Sequence, residues 1–218
     1  MSVAENITRI REGFGPSSAK LIAVTKNAQI SQIEEAFSSG VTEFGESRVQ
    51  DAFVKMNAVP AWLRNQSNWH FIGHLQTNKV KQVVGAFAII HSVDSIKLAR
   101  EISRVAEQKG IKQPILLQVK MTNDPNKSGF DPKELEYLFP QIAELTNIAC
   151  HGLMTITPLQ ATSSQRKNCF LELRLLRDDL VRRYSVALPE LSMGMSDDWQ
   201  EALDCGSTMV RIGTAIFR

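Results

Sequence analysis

A lysine that closes an apolar run at the mouth of a sheet or barrel can serve as a nucleophile toward a carbonyl. Leu21-Ile22-Ala23-Val24-Thr25-Lys26 reads as a buried parallel strand that ends on an ammonium group. Desolvated there, the lysine loses its proton and attacks a carbonyl. The bland alternative is a lysine with its stem along the strand and its protonated head in water. Two further segments supply anion chemistry. Gly194 lets backbone approach a ligand closely, and Ser196 stands where it would cap the next helix. Gly213-Thr214 adds N–H and hydroxyl donors. Free N–H groups beside small hydroxyl residues suit a phosphate, although plain turn and cap chemistry uses the same residues. Arg211, between Val210 and Ile212, points either into the space enclosed by the strands or outward to a helix carboxylate. A guanidinium held against a pyridine nitrogen would stay protonated and leave the ring unprotonated.

The remaining polar candidates carry less. His70 and His74, four apart on one strand, share a face, but no third metal ligand stands near them. His91 and His151 read as structural. Asp197-Asp198 read as first-turn acids favoured by a helix dipole, and Trp199 as core or interface. No Ser-His-Asp arrangement, phosphate-binding loop or dinucleotide fingerprint is present in the sequence.

Composition bounds the classes. The 218 residues are 43% hydrophobic and 22% charged, the profile of an ordinary globular chain with a sizeable core. Twenty-five basic against 23 acidic residues leave a formal charge of +2, which gives no electrostatic case for nucleic acid or a membrane surface. Three widely spaced cysteines, Cys150, Cys169 and Cys205, make neither a disulfide framework nor a zinc pattern. Residues 1–6 lack an apolar signal core, and no run has transmembrane length, so a cytosolic protein is expected.

The elements that must position these residues alternate. Strands are expected at 20–26, 41–45, 68–73, 86–93, 115–120, 148–156, 191–193 and 208–216, with a further helix over 2–14. Ser31 with Glu34, and Ser47 with Gln50, have the spacing of capping boxes. Asp131, Pro132 and Glu134 supply a cap, a first-turn proline and a capping partner, while Pro140 should kink or split the helix they start. The loop 122–129 is rich in Asn, Asp, Pro and Gly and reads as irregular. Strand–helix alternation means a parallel sheet. Eight strands in one domain over 1–218 predict an α/β protein, a single-domain TIM (β/α)8 barrel, with a doubly wound sheet as the competitor. In a barrel the C-terminal strand ends share one mouth, where active sites lie.

Ala23-Val24-Thr25-Lys26, Phe44-Gly45-Glu46, the run from His70 to Lys79, His151-Gly152-Leu153-Met154-Thr155, the run from Leu191 to Asp198 and Val210-Arg211-Ile212-Gly213-Thr214 resemble the pyridoxal-phosphate homeostasis proteins (the YggS/PROSC family). The motifs follow the family order from about residue 20 onward. The resemblance implies a barrel like the N-terminal domain of alanine racemase. It implies pyridoxal 5′-phosphate (PLP) as cofactor, attached covalently to Lys26 as a Schiff base. Ser192, the Met193-Gly194 backbone, Gly213 and Thr214 would surround the phosphate, with Arg211 near the pyridine nitrogen and Met154 and Asn78 close to the ring. One position departs: Ser47-Arg48 stand where the family usually has Asn-Tyr.

The expected function is that of a monomeric, cytoplasmic PLP carrier or regulator, acting in PLP homeostasis and amino-acid and keto-acid balance. PLP-dependent enzymes are its possible recipients. The alternatives are a weak amino-acid racemase and a cofactor-free Schiff-base aldolase. Racemisation needs a second proton carrier opposite Lys26, and Tyr137 and Tyr184 both fall in expected outer helices.

Overall fold

Eight short strands run parallel and close on one another in chain order: β1 (Lys20–Val24), β2 (Glu43–Glu46), β3 (Asn68–Phe71), β4 (Ile89–Val93), β5 (Gln113–Gln118), β6 (Ile148–Met154), β7 (Glu190–Ser192) and β8 (Met209–Ile212). The structure is a computed structural model describing residues 1–122 and 128–218. Residues 123–127, most of the loop expected to be irregular, lie outside the described residues. Closure is made by β8 pairing with β1, with Ile22 opposite Arg211 and Ala23 opposite Ile212.

Helices lie outside the strands: α1 (Val3–Glu12), α2 (Ile30–Ser38), α3 (Val49–Ala58), α4 (Ala61–Gln66), α5 (Val80–Val83), α6 (Ile96–Gln108), α7 (Pro132–Ala143), α8 (Ser163–Tyr184), α9 (Trp199–Asp204) and α10 (Thr214–Phe217). A 3-10 turn, Thr77–Lys79, leads into α5. No helix among the described residues is long and apolar enough to cross a membrane. The main core fills the space between strands and helices, and a second, smaller cluster of Ile22, Ile89, Leu116, Met154 and Met209 fills the barrel. Burial on both faces explains why the strands read as apolar runs.

Several local expectations shift. α2 begins at Ile30, so Ser31 sits inside its first turn, and Gln32 accepts from the Gln29 N–H at 2.9 Å instead. α3 begins at Val49 behind Arg48, which makes no side-chain cap, so Ser47 is not the cap. The Ser47 backbone is needed elsewhere: it crosses Gly73 so closely that no side chain fits there. α4 was not expected, since six residues carry too little periodicity to see.

Asp131, Pro132 and Glu134 start α7 as expected, but Pro140 does not split it. Proline removes the N–H that would bond the carbonyl four residues earlier. That carbonyl belongs to Glu136, and the Tyr184 hydroxyl donates to it at 3.3 Å. The last turn of α8 thus supplies the donor that Pro140 lacks.

Candidate functional site at the barrel mouth

Lys26 lies two residues beyond the end of β1 and is exposed. It stands in the turn that follows the strand. Its predecessor is fastened from three directions. The Thr25 N–H donates to the Gly45 carbonyl at 3.0 Å, and its hydroxyl donates to Glu46 Oε1 at 2.6 Å. Lys55 of α3 donates to the Thr25 carbonyl and, at 2.6 Å, to Glu46 Oε1. Glu46 is fully buried, so this ion pair is a structural clamp under the lysine. No local pattern ties Lys55 to Thr25, which is why the clamp escaped the sequence reading.

A cleft of about 570 Å³ opens at the ends of β1 and β8, where Lys26, Asn27, Gly213, Thr214 and Arg218 line it. Gly213 is needed for the close approach of the two strands. A Cβ there would stand 3.0 Å from the Val24 carbonyl oxygen and 3.2 Å from the Val24 Cβ. Among the described residues, no protein acceptor takes the N–H of Gly213 or Thr214. These donors therefore face the cleft unspent, next to two cationic side chains.

The loop after β7 is built around Asp198. Its carboxylate accepts from the Met195 N–H at 2.6 Å and from the Thr157 hydroxyl at 2.5 Å. Asp198 is thus a buried loop organiser that stands at the N-cap position of α9 without a side-chain cap bond, rather than a first-turn acid. Ser196 does not cap that helix either. Its hydroxyl accepts from the Ala215 N–H at 3.4 Å and ties this loop to the one after β8. Gly194 turns with φ +94, and a Cβ there would sit 2.6 Å from Ala202 Cβ, so glycine is required twice over. The Met193 N–H is already bonded to the Met209 carbonyl at 3.1 Å.

Arg211 points inward. It is buried, and it donates to Ser192 Oγ at 2.5 Å and to the Thr155 carbonyl at 2.9 Å. Burial pushes its guanidinium down to about 10, with Asp198 pulling the other way, so it remains charged at neutral pH. Ser192 Oγ also meets His91 Nδ1 at 2.9 Å, His91 Nε2 meets His70 Nδ1 at 2.9 Å, and His70 Nε2 meets Glu43 Oε2 at 2.6 Å. A polar chain therefore runs through the barrel from Arg211 to Glu43. His91, read from sequence as structural, is its middle link. Burial first, then the positive charges of His70, Arg211 and Lys20, hold His91 well below the usual histidine range. Burial pushes the Glu43 carboxyl up, but bonds from His70 and Asn68 prevail and hold it below the usual carboxylate range.

The site residues expected from sequence thus fall in three places. Lys26, Gly213 and Thr214 share the cleft. Ser192, Arg211 and Met154 sit in the barrel interior, with Ser192 turned to Arg211 and His91. Asn78 lies on neither surface. The 3-10 turn carries it to an outer groove of about 550 Å³ beside Ile96, Arg100 and Arg104 of α6. His74 is exposed and pairs with Asp94 at 3.2 Å, well separated in role from buried His70. No group of three His, Cys, Asp or Glu residues able to hold a metal occurs among the described residues.

A parallel eight-stranded barrel with a lysine, an arginine and donor-rich loops at its C-terminal mouth defines the class: the chain matches the alanine racemase N-terminal domain over residues 1–218. A pyridoxal phosphate homeostasis protein of Synechocystis is 44% identical over 202 residues, covering 93% of this chain and 92% of that protein. The structure of PipY from Synechococcus elongatus with PLP bound has a TM-score of 0.91 at 38% identity, covering all of both chains. An alanine racemase of Clostridium difficile (TM-score 0.79, 14% identity) matches 99% of this chain but 55% of its own length, a likeness of fold alone. The chain belongs to the pyridoxal phosphate homeostasis protein family.

Proposed function

We propose that this protein binds PLP at the barrel mouth, holds it covalently on Lys26 as a Schiff base, and serves PLP homeostasis and amino-acid and keto-acid balance as a non-catalytic carrier. The observation that carries the reading is the cleft that Lys26 shares with Gly213 and Thr214, whose N–H groups have no acceptor among the described residues. PLP supplies an aldehyde for an amine, a phosphate for such donors and an electron-withdrawing ring. The residues present suit it: an amine, free N–H donors and Arg218 line one cleft, and Arg211 is buried two residues before Gly213. The PLP-bound structure of the similar PipY supports PLP as the ligand.

Turnover would ask more of the chain than it offers. Arg211 cannot give up its proton to a ring nitrogen, which leaves the ring a weak electron sink. Tyr137 is 79% exposed on α7 and Tyr184 is spent on Glu136, so neither stands opposite Lys26 as a second proton carrier. The protein acts as a monomeric domain in the cytoplasm and passes PLP to PLP-dependent enzymes.

The test is a titration of the purified protein with PLP, read in the visible, alongside racemase and aminotransferase assays over a panel of amino acids. The expected result is a saturable visible band, no turnover, and transfer of PLP to an added apoenzyme. A colourless protein would overturn the binding reading, and sustained racemisation would overturn the carrier reading.

A further inference from the structure

The chain through the barrel has one hydrogen-bonding pattern when both histidines are neutral. A guanidinium only donates, so Ser192 Oγ accepts from Arg211. The Glu43 carboxylate only accepts, so His70 Nε2 carries the proton that faces it. His70 Nδ1 is then bare and accepts from His91 Nε2–H. His91 Nδ1 is bare in turn and accepts the Ser192 hydroxyl proton. Every donor points from the mouth to the floor.

One added proton reverses the middle of the chain. The Ser192 hydroxyl proton moves to His91 Nδ1, the His91 Nε2 proton moves to His70 Nδ1, and Ser192 takes a replacement proton from the mouth. The sum is one proton taken up at the mouth and one positive charge on His70, beside the Glu43 carboxylate. Ser192 Oγ then accepts from both Arg211 and His91, and its own proton must turn away from the chain.

We propose that Glu43, His70, His91 and Ser192 are positioning residues for Arg211 and a proton relay that joins the barrel floor to the ligand site at the mouth. The charged groups around it come from five strands. His70 meets Glu43 of β2 and His91 of β4 directly, while Arg211 of β8 and Lys20 of β1, itself paired to Glu190 of β7 at 2.9 Å, act on His91. The added charge comes to rest on His70, whose Nε2 lies 2.6 Å from the Glu43 carboxylate. The burial that disfavours charge on His91 keeps that residue a conduit.

Side-chain ¹⁵N NMR of the PLP-free protein tests the relay without a variant. At pH 8 both histidines should carry Nε2–H. On acidification His70 should gain its Nδ1 proton and His91 should switch to Nδ1–H at one shared midpoint. His91 found as Nδ1–H at pH 8, or unchanged in tautomer while His70 titrates, overturns the relay. Glu43→Gln, which retains an acceptor oxygen, should lower that midpoint by a pH unit or more.

The second arm rests on the proposed PLP binding. The visible spectrum of the PLP-loaded protein should shift with pH at the His70 midpoint and move with it in Glu43→Gln. A spectrum indifferent to Glu43→Gln while the NMR midpoint moves overturns the link to the mouth. A protein that takes up no PLP fails the binding reading alone, and the tautomer result still decides the relay.

Discussion

Thr25, the residue before Lys26, is held by its hydroxyl, its N–H and its carbonyl. The lysine therefore leaves β1 in a fixed direction although its own head is exposed. Removing the clamp should be expensive. Lys55→Met leaves the buried Glu46 carboxylate uncompensated, for which about 3–5 kcal/mol is typical. Urea unfolding should show that loss, and Glu46→Gln added to Lys55→Met should recover part of it. At the opposite wall, Gly213→Val places methyl groups where Val24 already stands. PLP affinity should fall at least tenfold, about 1.4 kcal/mol or more, as measured by equilibrium dialysis. Unchanged affinity would remove Gly213 from the site.

α7 and α8 share a hydrogen bond that the sequence of neither helix announces. Pro140 strips Glu136 of its helical partner, and Tyr184 replaces it from the last turn of α8. Tyr184→Phe keeps the ring against Phe139 and loses only the donor. It should cost about 1 kcal/mol, and less in a Pro140→Ala background, where the backbone N–H is restored. A double-mutant cycle in urea would read the difference. The same pair marks how far sequence reasoning reaches. The alternation of apolar runs with capped helices was enough to place all eight strands, because period and cap chemistry are local, whereas their closure, with a doubly wound sheet as competitor, rests on the pairing of β8 with β1. Ser31 and Ser47 had cap spacing without cap roles, since the helices start where strand packing releases the chain. Lys26, Gly213 and Thr214 were legible as strand-end residues. The joining of His70, His91 and Ser192 was not, because it depends on inward parity across three separate strands.

For the molecule as a whole, a polar chain replaces part of the apolar filling usual inside such barrels. That choice ties stability to pH. His91 has a folded value well below its ordinary 6.5, so the unfolded chain binds its proton first. Its contribution is complete above 6.5 and is lost as pH falls below it, with a limiting slope of about 1.4 kcal/mol per pH unit for one proton. Glu43, whose value lies below its ordinary 4.5, contributes above 4.5 and loses its share as pH falls through the lowered value. Stability to urea should therefore decline in two stages from neutral pH downward. His91→Gln should flatten the first stage. A flat profile between pH 7 and 5 in the wild type would contradict a buried neutral His91.

The central claim is that the lysine at the end of β1 is the point of attachment. Borohydride reduction of the PLP-treated protein, followed by peptide mass mapping, addresses it directly. The predicted result is one pyridoxyl adduct, on the peptide carrying Lys26, that disappears in Lys26→Ala. An adduct on another lysine, such as Lys120 at the far rim, or no adduct in the wild type, would contradict it.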